Sequence, residues 1–251
     1  MSDYHKSVRK SCWIILSIMI SGCSQNYYVH NTVNVPAFKE KNEAQLAVSY
    51  GFSYYESYNL DVQAAHAPFN HLAYMVNYHH YWDDLGENES YQGDFVEFGP
   101  GYYKCWADEF VFETYGGVGW GWITNKFELD GENTTSKINY NRYFIQPSVS
   151  GRWDGEDWGN MFAKFSIAAR FSILDYNTMR LEPENNNYSM STIIGFASNP
   201  TYLIEPGGGL TIGWKYLSVL IQGSIPILLN NYDMKIEDSF HINVGLVGII
   251  H

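Results

Sequence analysis

Residues 161–173, MFAKFSIAARFSI, alternate between two kinds of side chain over their whole length. One set is almost wholly apolar: Met161, Ala163, Phe165, Ile167, Ala169, Phe171 and Ile173. The intervening set is mixed and carries the charges: Phe162, Lys164, Ser166, Ala168, Arg170 and Ser172. A period of two residues predicts a β-strand whose two faces meet different environments.

The same alternation recurs from about residue 43 to the end of the chain, and we find no amphipathic helix of useful length. The sequence predicts an all-β, up-and-down antiparallel transmembrane β-barrel of about ten strands. Eight strands are the alternative if the shortest segments are miscounted. The predicted strands are 43–55, 59–67, 71–83, 94–105, 109–122, 141–153, 159–173, 200–214, 217–229 and 240–250.

The connections between these strands alternate in length. Short ones lie near 68–70, 106–108, 154–158 and 215–216, and long ones near 84–93, 123–140, 174–199 and 230–239. Only the first connection, near 56–58, breaks the rule. Outer-membrane barrels have this parity, with tight turns on the periplasmic side and longer loops outside.

The tryptophans of the predicted barrel lie near strand ends. Those near the short turns are Trp106, Trp153, Trp158 and Trp214, and those near the long loops are Trp82, Trp120 and Trp122. Because the indole ring favours the membrane–water interface, this placement predicts two aromatic girdles.

Alternation alone leaves open which face is outside. A soluble lipocalin-like barrel would turn the apolar face inward around a ligand. The second face is rich in small residues, among them Gly117, Gly119 and Gly121, which suits a narrow lumen better than a water-exposed surface. We therefore expect its charges to pair across a lumen. They are Asp61, Glu97, Glu113, Arg152, Lys164, Arg170 and Glu205.

The N-terminus has the pattern of a bacterial lipoprotein signal. Basic residues precede a short apolar run that closes on Ile20-Ser21-Gly22-Cys23. The run is too short for a membrane helix, which needs about 20 residues. We expect residues 1–22 to be a cleaved signal peptide, residues 23–42 a tether lipidated on Cys23 by a fatty acid such as palmitate, and residues 43–251 the barrel domain.

The charge of the chain argues against nucleic acid as a partner. The net charge is −12, and loss of the signal peptide removes three basic residues and one acidic residue, which leaves −14. Binding nucleic acid requires a basic face. Disulfide stapling is not expected, since Cys105 has no partner once Cys12 is removed and Cys23 is acylated.

Several segments resemble a known type of protein. They are Asn34–Leu46, Leu60–Pro68 with Asn70-His71-Leu72, and more weakly Glu97–Tyr103 and Gly116–Gly119. Together with the lipoprotein signal, they resemble uncharacterised barrel-like outer-membrane lipoproteins of Bacteroidota-type bacteria. The resemblance implies an envelope barrel and transfers no catalytic residue. Ser24-Gln25-Asn26 lacks the acidic run that often marks surface export in such bacteria, so a periplasm-facing anchor is expected.

Candidate catalytic and metal-binding residues are few. His79 and His80 are adjacent, so in a strand they point to opposite faces and cannot chelate one ion. His66 and His71 flank a turn, where interfacial packing explains them. The acid pairs Asp83-Asp84 and Glu237-Asp238 lie at loop mouths, where they could support hydrolysis or simply solvate the loops. We predict no catalytic, cofactor or metal site.

The sequence therefore favours a non-enzymatic outer-membrane barrel lipoprotein with a structural, interaction or narrow-pore role. Its partners would be the lipid bilayer and other envelope proteins. One alternative is a membrane hydrolase acting on lipid or peptide at the extracellular rim. The other is a lipid-anchored periplasmic carrier of an apolar ligand.

Overall fold

The computed structural model describes residues 26–52, 57–84, 89–107, 109–129, 132–155, 161–183, 199–214, 216–230 and 240–250. Within these residues no helix is long and apolar enough to cross a membrane. The strands are β1 (Ala44–Phe52), β2 (Tyr58–Phe69), β3 (Leu72–Asp84), β4 (Ser90–Trp106), β5 (Phe110–Leu129), β6 (Glu132–Gly155), β7 (Met161–Pro183), β8 (Thr201–Trp214), β9 (Leu217–Ser224), β10 (Ile227–Leu228) and β11 (His241–Ile250).

The strands close into a barrel. Each strand from β1 to β9 pairs antiparallel with its neighbour in sequence, and β11 pairs with both β9 and β1. The two-residue β10 continues the path of β9 and pairs with β8, so β9 and β10 together form the strand predicted over 217–229. Counted in this way the barrel has ten strands, which confirms the predicted fold class over the alternative of eight.

Four strands extend several residues further than predicted at the long-loop end, and the first of them, β4, begins at Ser90 rather than at residue 94. β5 continues to Leu129 and β6 begins at Glu132, although the sequence predicts a loop over residues 123–140. β7 continues to Pro183. The outward side chains of this extension include Lys126, Glu128 and Lys137. Because these positions carry polar side chains, the apolar half of the alternation disappears there although the strands continue.

The apolar face of the barrel is outside. In β7, Phe165 and Ile167 are 51% and 58% exposed, whereas Ser166 between them is 5% exposed. On β6 the apolar outward positions run from Tyr143 to Trp153. About ten residues at about 3.3 Å each, inclined by about 40°, give a belt about 25 Å tall, the height of a bilayer's hydrocarbon zone in such barrels. The predicted facing is confirmed.

The exposed tryptophans flank this belt. Trp106, Trp153 and Trp214 lie at the short-turn end, and Trp120 and Trp122 lie toward the long-loop end. Trp82 pairs with Gln92 at nearly the same level as Trp122, which pairs with Asp94. Trp158 lies outside the described residues. The arrangement is that of two interfacial girdles.

Inward glycines give space to aromatic rings in the lumen. A Cβ atom on Gly119 would lie 2.3 Å from Cζ of Phe95, and one on Gly121 would lie 2.1 Å from Cζ of Tyr140. Both rings are buried. The glycines of β5 thus allow two large rings to lie flat against the barrel wall.

Candidate functional site: the occupied lumen

The lumen is filled by the chain's own N-terminal segment. Residues 26–38, here called the lumen segment, form no strand, and all of them except Tyr27 are buried. At one end Asn26 donates to Tyr81 Oη (3.3 Å) and accepts from Asn125 (3.0 Å). At the other end the ring of Phe38 packs edge-on against Tyr103, with 5.9 Å between centroids. The segment predicted as a tether therefore crosses the barrel.

Asn31 occupies the centre of a charged cluster. Its Oδ1 accepts from Arg142 Nη2 (2.7 Å) and from Arg170 Nη1 (2.8 Å). Its Nδ2 donates to Glu97 Oε1 (2.8 Å). One neutral side chain thus contacts two cations and one anion at the middle of the lumen.

The charges around Asn31 also pair with one another. Arg142 contacts Glu97 directly and lies 3.7 Å from Glu205, while Arg170 lies 3.7 Å from Glu97 and 3.9 Å from Glu205. Tyr28 of the lumen segment joins them, since its hydroxyl donates to Glu205 (2.7 Å) and accepts from Arg142 (2.5 Å). The predicted pairing of Glu97, Arg170 and Glu205 across the lumen is confirmed.

A second cluster holds Thr32. Asp61 Oδ2 accepts from Thr32 Oγ1 (2.6 Å) and from Asn243 Nδ2 (2.8 Å), and Asp61 Oδ1 lies 2.7 Å from His79 Nδ1. Gln222 also donates to Thr32 Oγ1 at 2.6 Å. Asp61 of β2 and Gln222 of β9 therefore bind the Thr32 hydroxyl directly, while His79 of β3 and Asn243 of β11 bind the Asp61 carboxylate.

A third cluster binds the end of the segment near the short turns. Glu113 Oε2 accepts from the backbone N–H of Ala37 (2.9 Å). Arg152 Nη1 donates to the Ala37 carbonyl (3.0 Å) and to Glu43 Oε2 (2.9 Å). Ala37 has a φ of 60°, in the left-handed region that non-glycine residues rarely adopt. Contacts to both polar backbone groups of Ala37 stabilise that conformation.

Lumen side chains bind the backbone of the segment along its length. Tyr140 donates to the carbonyl of Val29 (3.0 Å), Gln146 to that of Asn34 (2.7 Å), and Lys164 to that of Val35 (2.7 Å). A backbone buried outside a sheet must find such partners, because an unpaired buried polar group is costly. The wall is therefore complementary to a chain lying in one register.

The charged residues predicted to face inward are all buried, but the histidines and rim acids do not form a common site. His79 points into the lumen, while His80 points outward and lies 2.9 Å from Asp94. His71 contacts the carbonyl of Tyr103 and His66 contacts Tyr74. Asp83 is buried. Cys23, Glu237, Asp238 and the side chain of Asp84 lie outside the described residues.

No metal-binding group of three or more histidines, cysteines, aspartates or glutamates occurs within the described parts of the chain. Cys105 is half-buried and not in a disulfide. The polar groups of the lumen instead contact the lumen segment, so the arrangement acts as a binding site for a peptide that belongs to the same chain.

Two features of this site were missed from the sequence. Arg142 lies on β6 ten positions before Arg152, and that even spacing places both on one face, so alternation could have found it. The lumen segment gave no such signal. Its residues are buried on every side, so no period of two or 3.6 residues marks it.

No family model and no curated protein matches the chain. Among solved structures, the translocator domain of the autotransporter NalP from Neisseria meningitidis is similar, with a TM-score of 0.52 and 10% identity over 99% of this chain and 95% of that one. CdiB from Acinetobacter baumannii has a TM-score of 0.22 and 9% identity over 84% of this chain and 60% of that one. CdiB from Escherichia coli has a TM-score of 0.22 and 9% identity over 91% and 67%. The closed wall, the apolar belt and the first of these similarities together give the chain the fold of an outer-membrane β-barrel.

Proposed function

We propose that this chain is an outer-membrane β-barrel lipoprotein with a structural or interaction role and no catalytic activity. Residues 1–22 act as its signal peptide, and Cys23 carries the acyl chains. The lipid bilayer is its first partner, and other envelope proteins are the second. The resemblance to barrel-like lipoproteins of Bacteroidota-type bacteria supports the same assignment.

The occupied lumen is the observation that carries the proposal. A transport pore needs an open path, whereas the centre of this barrel holds Asn31 between Arg142, Arg170 and Glu97. A carrier of apolar ligands needs an apolar cavity, whereas the wall presents charged and polar groups to a peptide. Those groups are engaged by the lumen segment, which leaves them unsuited to binding a substrate.

The long-loop end offers a surface for partners. There β5, β6 and β7 extend past the level of Trp122, and their outward side chains are polar and of both charge signs. The exposed positions include Lys126, Glu128, Asn133, Lys137, Asp175 and Arg180. A polar extension of paired strands beyond the apolar belt suits recognition of another envelope component.

Conductance across a planar lipid bilayer tests the closed lumen. We expect purified wild-type protein to show no steady channel, because the segment fills the path. The double variant Asn31→Ala, Thr32→Ala weakens two of the three clusters and should open transiently. Asn177→Ala, on the exposed part of β7, is the matched control. Steady wild-type conductance equal to that of the double variant would favour a pore instead.

Metabolic labelling with palmitate tests the anchor. Wild-type protein and Cys105→Ser should incorporate label, because only Cys23 follows the lipoprotein signal. Cys23→Ser should not be labelled and should accumulate with its signal peptide attached. Equal labelling of Cys23→Ser and wild type would exclude this cysteine as the anchor.

A further inference from the structure

The lumen segment has a defined direction. Its first residue, Asn26, contacts Tyr81, which adjoins Trp82, and Asn125, which lies three residues beyond Trp122. Asn26 is therefore level with the girdle at the long-loop end. From there the chain runs toward the short turns, where the N–H of Asn42 donates to the carbonyl of Ala67 (2.6 Å), just before β1 begins.

The distance along the chain fixes where residue 23 can lie. Cys23 lies three positions before Asn26, and an extended chain spans about 3.3–3.6 Å per residue, or about 10 Å in all. The belt is about 25 Å tall by the strand geometry given above. Cys23 therefore cannot reach the short-turn side from Asn26.

The barrel itself blocks the two other routes. The lumen is occupied by residues 26–38, and the wall is a continuous ladder of paired strands. A polar backbone crossing the belt outside the barrel would leave its N–H and C=O groups unpaired in lipid. The chain before Asn26 must continue on the long-loop side.

We propose that the mature N-terminus lies at the long-loop end, on the external face of the outer membrane, so that acyl chains on Cys23 enter the outer leaflet. The lipid part of this inference rests on the proposed function, whereas the side of the membrane rests on the path of the lumen segment. This reverses the expectation of a periplasm-facing anchor that Ser24-Gln25-Asn26 suggested. The chain is then a surface lipoprotein that passes through its own barrel.

Cysteine accessibility in intact cells tests the inference. In a Cys105→Ser background, three variants would be treated with a maleimide that cannot cross the outer membrane. Gln25→Cys tests the N-terminus, and Asn177→Cys, exposed on β7 beyond the belt, is the external reference. Lys41→Cys, exposed beside the short turns, is the periplasmic reference.

We expect Gln25→Cys and Asn177→Cys to react in intact cells, and Lys41→Cys to react only after the outer membrane is permeabilised. An epitope inserted between Gln25 and Asn26 gives a second readout, because antibody should bind it on intact cells. Failure of both the thiol and the epitope to react in intact cells, while Asn177→Cys reacts, would overturn the inference.

Palmitate labelling separates this result from failure of the proposed function. If the N-terminus is accessible outside but Cys23 carries no label, the lipid assignment fails and the threaded path stands. If Cys23 is labelled but residue 25 reacts only in permeabilised cells, the proposed lipoprotein stands and the external position is wrong.

Discussion

Asn31 and Arg142 are 111 residues apart in sequence, yet Oδ1 of Asn31 lies 2.7 Å from Nη2 of Arg142 at the centre of the barrel. The same oxygen accepts from Arg170, and the amide nitrogen donates to Glu97. Both polar ends of a neutral amide are thus used by charged groups of the wall. Asn31 carries no charge and cannot neutralise the charged groups of the wall. It bridges the two arginines and Glu97 by hydrogen bonds instead.

Replacing Asn31 with alanine should destabilise the barrel. The substitution removes hydrogen bonds to two buried guanidinium groups and one buried carboxylate, and a hydrogen bond to a charged group contributes about 1.5–3 kcal/mol. We expect the free energy of unfolding to fall by about 3 kcal/mol or more. Urea unfolding of the protein in lipid vesicles, followed by tryptophan fluorescence, would measure this loss as a lower midpoint concentration of urea.

The matched control is Asn177→Ala, which removes an exposed amide contact at 3.3 Å from Asn141. An exposed substitution of this kind should change stability by less than about 0.5 kcal/mol. Equal midpoints for the two variants would mean that the lumen segment does not support the folded barrel.

Ile167→Arg should impair assembly into the membrane. Ile167 is 58% exposed at the middle of the apolar belt on β7. Arginine at a lipid-facing midplane position costs about 2–4 kcal/mol. Thr178→Arg, on the same strand but beyond the belt, should assemble like wild type. The fraction of protein recovered in folded form from membranes is the measurement, and equal recovery of both variants would place Ile167 away from lipid.

Gly121→Ala should destabilise the barrel more than Gly116→Ala. A Cβ atom on Gly121 would lie 2.1 Å from the buried ring of Tyr140, whose hydroxyl donates to the carbonyl of Val29. Displacing that ring loses the bond to the lumen segment, and overpacking costs about 1–3 kcal/mol. At Gly116 the nearest atom would be 3.6 Å away. Thermal unfolding in detergent compares the two, and a larger loss at Gly116 would contradict the packing described.

The folded protein should migrate differently on a denaturing gel before and after boiling. In the closed wall every strand pairs with a neighbour on both sides, so no described strand forms an edge of the sheet. A sheet without a free edge resists unfolding by detergent until it is heated. We expect a distinct band in the unboiled sample that disappears on heating. Identical migration of the two samples would argue against a sealed barrel.

Much of the wall could be predicted from the sequence because each strand meets two different environments. In β7 the contrast between Ile167 and Ser166 gave the period, the facing and the direction of Lys164 and Arg170 together. Around Lys126 the outward side chains also become polar, so the apolar side chains that mark every second position on the outward face are missing. The prediction therefore ended β5 too early, at residue 122 rather than at Leu129.

The lumen segment could not be predicted in the same way. Residues such as Asn31 and Thr32 meet their partners through side chains from many strands, so their contacts leave no spacing in the local sequence. Inward charges such as Glu97 and Arg170 indicated a polar lumen, and they were expected to neutralise one another by direct ion pairs. The structure adds a peptide between them, which only the assembled barrel reveals.

The threading of residues 26–38 constrains the order of events during biogenesis. The segment precedes every strand in the chain, yet Thr32 is held by Gln222, 190 positions later, and through Asp61 by Asn243 of β11. Contacts between residues so far apart in sequence form slowly, because closing a long loop costs entropy before the contact contributes any stability. With the proposed acyl chains on Cys23, the segment would be tethered at both ends, and it could not be inserted into a finished barrel. We then expect the sheet to curl around residues 26–38 during folding and the pairing of β1 with β11 to form last.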